Sequence, residues 1–216
     1  SPPDPGMSGT MRRTKIIATI GPGSAHPRII REMILSGMDI ARLNLSHGSA
    51  AWHEKTAQQI RTLADELDRE IGILVDIPGP KLRVFIDSPP REVVPGDTIH
   101  IAGEHTPASG AVLVSPSDCI PVVCPGDVVL VGDGAVTLQV LKPGPPMLTT
   151  VTSGGTIREG MGVVMPGRRP DVPYAGPRFI EYIRQGAALR PDYIALSFVG
   201  SAEDIRDARE LLTREG

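Results

Sequence analysis

Four short stretches of the chain carry side chains suited to a phosphate or a carboxylate. Arg42 and Asn44 stand two apart in the apolar run 39–45, so in an extended strand both point to one side. Ser46 and His47 follow at once. Asp76 closes the apolar run 71–77, and Lys81 and Arg83 come just after the turn Pro78-Gly79-Pro80. Gly21 and Pro22 follow the run 14–20, and Ser197 lies in the run 193–199. An arginine fork gives two parallel charge-assisted bonds to a phosphate or carboxylate. The oxygens of Asn44, Ser46 and Asp76 suit a hard cation such as K⁺ or Mg²⁺. Plainer readings stand beside these. On spacing alone Arg42 equally forms an ordinary ion pair with Asp76, His47 beside Gly48 reads first as a turn residue, and Asp133 between two glycines reads as a turn former.

The elements that must position these residues come in two textures. Up to residue 83 and again after 168, apolar runs alternate with helical patterns, which means parallel βα units. The first run, 14–20, is stopped by Gly21-Pro22-Gly23. Ser24 is the expected N-cap of a helix begun by Pro27 and closed by Gly37. A long helix is expected over 50–69, with Ile60, Leu63, Ala64 and Leu67 on one face. A further helix is expected from Pro177 to Gln185, and after the Tyr193–Val199 strand Ser201-Ala-Glu-Asp204 has the form of a capping box for a last helix through Leu212. In parallel βα sheets the C-terminal strand ends form the binding face, where the polar residues above all fall.

Between 84 and 167 the pattern changes to short runs rich in Val and Ile, such as 98–101, 112–114, 128–131, 136–141 and 148–151, punctuated by Gly, Pro and Asp. Such spacing predicts a small antiparallel β barrel or sandwich, with Gly132-Asp133-Gly134 as a hairpin turn. The expected fold is therefore α/β with an inserted all-β segment. Twenty-four glycines and 22 prolines in 216 residues would fit disorder, but 40% hydrophobic residues and a net charge of −3 argue for a packed chain. The pI near 6 and the lack of a basic run exclude general nucleic-acid binding. No run is long enough to span a membrane. Cys119 and Cys124, with no histidine at ligand spacing, read as plain thiols in a reducing compartment.

Taken in order, three segments resemble one family. They are Thr14-Lys-Ile-Ile-Ala-Thr-Ile-Gly-Pro22, Met38-Asp-Ile-Ala-Arg-Leu-Asn-Leu-Ser-His-Gly48 and Asp76-Ile-Pro-Gly-Pro-Lys-Leu-Arg83, which look like the start of pyruvate kinase. Val131-Gly-Asp-Gly134, Gly162-Val-Val-Met-Pro-Gly167 and Ala195-Leu-Ser-Phe-Val199 resemble later turns and a strand of the same family. The resemblance implies a partial (β/α)8 TIM barrel of about four βα units over 12–83 and 168–216, interrupted by a small all-β barrel lid over 84–167, with residues 1–11 as a tail or linker. It also implies phosphotransfer between phosphoenolpyruvate and ADP/ATP, a step of glycolysis, in the cytoplasm. Arg42 would hold the transferring phosphate. Asn44, Ser46 and Asp76 would form the monovalent-cation site, and Pro22, His47, Arg83 and Ser197 would line substrate or nucleotide.

The resemblance further implies Mg²⁺ as cofactor. Lys81, where K⁺-dependent members carry Glu, implies little or no K⁺ requirement, because a fixed ammonium replaces the ion's charge. The family's catalytic lysine and its two divalent-metal carboxylates belong to its next two barrel strands, after the point where this sequence stops. The chain alone is thus expected to be weak or inactive, whether a fragment or naturally short. Met161, Val164 and Gly200 depart from the family's Lys, Asn and Arg. Those departures keep open a second reading, a non-catalytic phospho-ligand binding or interaction module. A homo-oligomer in which two copies approximate eight strands is also expected from strand counting.

Overall fold

The computed structural model describes residues 14–79, 81–85, 90–106, 109–170 and 176–215. The tail 1–11, Pro80 and Pro173 lie outside them.

The first elements alternate as the apolar runs require: β1 (Ile17–Thr19), α1 (Pro27–Leu35), β2 (Ile40–Asn44), α2 (Ala50–Glu66) and β3 (Gly72–Ile77). Among the described residues nine short strands follow: β4 (Leu82–Val84), β5 (Arg91–Val93), β6 (Thr98–Gly103), β7 (Val112–Ser115), β8 (Val128–Val131), β9 (Val136–Lys142), β10 (Met147–Ser153), β11 (Gly155–Ile157) and β12 (Gly162–Val164). The chain ends with α3 (Pro177–Ala188), β13 (Tyr193–Leu196) and α4 (Ala202–Glu215). The molecule divides into two compact units. One comprises the described residues up to Ile77, 181–197 and from Leu211 on; the other comprises 78–180 and 198–210.

The first unit is built on a four-stranded sheet in the order β1-β2-β3-β13, parallel throughout. Residues of β2 alternate between faces: Ala41 and Leu43 are fully buried, while Ile40, Arg42 and Asn44 are half-buried. Ile73, Val75 and Ile77 of β3 join the buried side, as do Ile30 and Ile34 of α1, Ile60 and Leu63 of α2 and Ile183 of α3. Gly186 of α3 lies against this layer, where an added Cβ would stand 3.4 Å from Val75 and 3.5 Å from Ile77.

Ser24 does not cap α1. Its hydroxyl accepts from Gly21 N at 3.0 Å and its own N–H donates to Gly21 O at 2.9 Å, closing the turn that carries Pro22. His26 is the N-cap, its Nδ1 accepting from Arg28 N at 3.3 Å, so Pro27 takes the first helical position. Strand β13 ends at Leu196 and not at Val199, because Phe198 turns to φ +62° and leaves the extended region.

The second unit is a closed seven-stranded barrel, β10-β6-β7-β4-β12-β8-β9, with β5 and β11 paired as a separate ribbon. All barrel neighbours are antiparallel except β6 and β7, which are parallel. Val84, Ile99, Val114, Val129, Val136, Leu138 and Val163 are among the residues that fill it. The expected hairpin is present: β8 and β9 pair from Val131 and Val136 outward, and Asp133 takes φ +57° at the turn.

Candidate functional site

The sheet register explains why Arg42, Asn44, Asp76 and Ser197 meet. Strands β2 and β3 pair Arg42 with Leu74 and Asn44 with Asp76, and β3 and β13 pair Asp76 with Ala195. These residues lie at the C-terminal ends of parallel strands, where loops leave the sheet and side chains of neighbouring strands converge. Arg42 is the hub. Its Nε donates to Asp76 Oδ2 at 3.1 Å, its Nη2 makes a very short bond to the same oxygen, and its Nη1 donates to Thr19 Oγ1 at 2.7 Å. Ser197 Oγ donates to the other oxygen, Asp76 Oδ1, at 3.1 Å. Asp76 is buried, and the Arg42 side chain keeps 31% of its surface exposed. The ion pair admitted by spacing is therefore present, and it leaves part of the Arg42 side chain exposed beside the strand ends.

The loop after β2 is fixed by its own backbone. Leu45 N donates to Asp76 O at 3.0 Å, which ties the start of the loop to β3. Asn44 Oδ1 accepts from Ser46 N at 2.9 Å, an Asx turn, so this oxygen serves the backbone. Ser46 and His47 are exposed. Ser49 then caps α2 through Trp52 N at 3.2 Å. Pro22 is exposed in the Gly21–Ser24 turn.

Lys81 and Arg83 belong to the second unit. Arg83 Nη1 donates to Gly160 O at 2.8 Å. Lys81 runs past Gly162, where an added Cβ would meet Lys81 Cε at 3.1 Å. Three positions singled out by their departures are also resolved here. Met161 turns toward the barrel core, and its Sδ accepts from Arg158 N at 3.2 Å. Val164 is exposed on β12. Over Gly200 lies the guanidinium of Arg169, with Nη1 3.0 Å from where a Cβ would stand, and the same guanidinium pairs closely with buried Asp204. Burial pushes the Asp204 carboxyl up, but the N–H groups of Gly200 and Ser201 and the Arg169 charge outweigh it and hold it below its usual range.

Two residues escaped the sequence reading. Thr19 had no polar pattern to mark it. His53 is buried on α2, where its Nε2 donates to His47 O at 2.7 Å. Its signal was available: it stands on the same helical face as Ala57, Ile60 and Ala64, an odd place for an imidazole.

Among the described residues no group of three or more His, Cys, Asp or Glu could hold a metal ion. None of the described helices is long and apolar enough to cross a membrane.

Comparison with known proteins agrees with the ordered segments. The family model for the pyruvate kinase barrel domain matches residues 11–216. A pyruvate kinase of Agrobacterium vitis is 36% identical over 206 residues, covering 94% of this chain and 44% of that protein. A pyruvate kinase of Corynebacterium efficiens is 35% identical over 212 residues, covering 95% and 44%. One from Sporosarcina psychrophila is 35% identical over 207 residues, covering 94% and 35%. The chain thus spans less than half the length of these relatives. With the strand-end cluster and a family match over nearly every residue, the chain belongs to the pyruvate kinase family.

Proposed function

We propose that the four parallel strands are part of a (β/α)8 barrel, that the seven-stranded barrel is its inserted lid, and that the strand-end cluster serves phosphotransfer between phosphoenolpyruvate and ADP. The observation that carries this is the convergence of Arg42, Asp76 and Ser197 at the C-terminal ends of β2, β3 and β13 in a chain of this family. Arg42 would take the phosphate of phosphoenolpyruvate. Asp76 fixes the guanidinium through Nε and Nη2, and Thr19 holds Nη1, so the fork is oriented before a ligand arrives. Pro22 and His47 would stand on the nucleotide side, with Arg83 in the same role by family pattern and Ser197 beside the substrate.

A divalent ion supplies charge neutralisation in such a transfer, but the described residues offer no cluster for Mg²⁺. Asn44, Ser46 and Asp76 are hard oxygen donors of the kind K⁺ takes. The Asp76 charge is already matched by Arg42, however, and Asn44 Oδ1 is engaged with the backbone. With Lys81 at the family position associated with K⁺ independence, no K⁺ requirement is expected. A second copy of the chain is proposed as a partner, since β1 and β13 are the outer strands of the sheet; a stable monomer at micromolar concentration in sedimentation would contradict that.

The second reading, a phospho-ligand binding module without turnover, is favoured by one observation: Met161 packs on the barrel core and presents no cation. One experiment covers both. Phosphoenolpyruvate is titrated into the 216-residue chain and its Arg42→Ala variant, and pyruvate release is followed with ADP and Mg²⁺. Saturable binding that weakens about tenfold or more in the variant is expected, the loss of a charge-assisted pair. Turnover abolished by the substitution selects the enzyme, and ligand stabilisation without turnover selects the module. Equal binding by both proteins, or by neither, overturns the phosphate role of Arg42.

A further inference from the structure

We propose that His53 is a positioning residue that sets the His47 loop for a nucleoside diphosphate; the ligand half of this rests on the function proposed above. His53 is 2% exposed, in the first turns of α2. A carbonyl oxygen can only accept, so the 2.7 Å contact with His47 O requires the proton on Nε2. In the neutral ring Nδ1 is then a bare acceptor. It is fully buried and has no hydrogen-bond partner among the described residues.

A buried polar atom without a partner calls for a physical reason. Packing does not supply one, because a leucine would fill the same apolar face beside Ala57 and Ile60 and leave no orphan. The hydrogen bond does. It is the tie from α2 to the carbonyl of His47, whose own N–H reaches Asn44 O at 3.3 Å. The ring is wedged as well as bonded. Trp52 meets it edge-on with centroids 4.9 Å apart at 81°. Gly48, at φ +87°, lets the loop pass so near that an added Cβ would lie 3.3 Å from His53 Nε2 and 3.2 Å from the Trp52 ring. The peptide plane of His47 is therefore set from inside the helix, and with it the direction in which the exposed His47 side chain leaves the loop.

The test compares His53→Leu, His53→Gln and His53→Asn in the 216-residue chain. The glutamine amide nitrogen lies as many bonds from Cα as Nε2 of histidine, and the asparagine amide only as many as Nδ1. ADP affinity is expected to fall about tenfold in His53→Leu and His53→Asn and to recover to within about threefold in His53→Gln. Phosphoenolpyruvate affinity should stay within about twofold in all three. Long-range proton–nitrogen spectra should show the Nε2–H tautomer, and amide exchange at Gly48 should quicken in the leucine and asparagine variants alone.

A His53→Leu chain that binds ADP as the parent does, a glutamine variant no better than leucine, or an Nδ1–H tautomer overturns the inference. Parallel loss of both ligands with a lowered melting temperature also overturns it, since that is the mark of a purely structural residue. If the parent chain binds phosphoenolpyruvate but not ADP, the nucleotide half fails while the function reading keeps its phosphate site. If it binds neither, the function reading fails, and the tautomer and Gly48 exchange still decide whether His53 holds the loop.

Discussion

Asp76 shows how one carboxylate can organise a strand-end site. Its two oxygens are divided between Arg42 and Ser197, and it is buried against the end of β3. Removing it takes the carboxylate from a part-buried guanidinium and leaves it, among the described residues, the bond to Thr19. We predict that Asp76→Ala lowers stability by about 1–3 kcal/mol, most of it the cost of the stranded charge and lost hydrogen bonds. Asp76→Ala combined with Arg42→Met should be less destabilised than the single variant. Urea unfolding of both proteins checks this, and a double variant weaker than the single one would contradict it. Much of this cluster was legible in the sequence, because Arg42 and Asn44 are two apart and Asp76 ends an apolar run. The Arg42–Asp76 pair was legible as well, as one of two readings; what was not legible was which other side chains join it. Ser197 was already singled out by its place in an apolar run, but Thr19 is an ordinary polar residue until the β1–β2 register sets it beside Arg42. His53 was missed although its signal was there, a histidine on a helical face otherwise read from its apolar residues.

Among the elements, α4 carries the clearest local code. Ser201 Oγ accepts from Asp204 N at 3.4 Å, and Asp204 Oδ2 accepts from Ser201 N at 2.9 Å and Gly200 N at 2.8 Å, the reciprocal bonds of a capping box. Since its carboxyl is held below the ordinary 3.8 in the folded chain, Asp204 contributes stability above that pH and loses it as pH falls through the lower folded value. We predict that Asp204→Asn costs about 0.5–2 kcal/mol near neutrality. The variant should also lose less stability than the parent between about pH 4 and pH 2. Parallel stability curves for the two proteins over that acid range would contradict this. Apolar periodicity made α1, α2, α3 and α4 readable to within a few residues at the ends, and the capping box placed the start of α4, whereas the cap expected for α1 fell on the wrong residue. Strands β4, β5, β11 and β12, each of three residues, were not. The parallel pairing of β6 with β7 was unreadable as well, since it depends on closing the barrel and not on either strand.

At the scale of the whole molecule the two units solve the edge problem differently. The barrel closes on itself and has no free edge, and its core is made of its own residues. The parallel sheet ends in β1 and β13, where Ile17 and Tyr193 are about half exposed. Separate cores imply separable stabilities. The single tryptophan, Trp52, lies on α2 in the sheet unit, so its fluorescence reports that unit. Leu43 and Leu138 are both fully buried, one in each core. Either leucine cut to alanine should cost about 2–5 kcal/mol where it stands. We predict that Leu43→Ala moves the Trp52 transition to lower urea and leaves the valine and leucine methyl signals of β8 and β9 to unfold as in the parent. Leu138→Ala should do the reverse, lowering the methyl transition while the Trp52 midpoint stays in place. If Leu138→Ala moves the Trp52 midpoint as far as Leu43→Ala does, the two cores unfold as one cooperative body, and the barrel does not stand on its own.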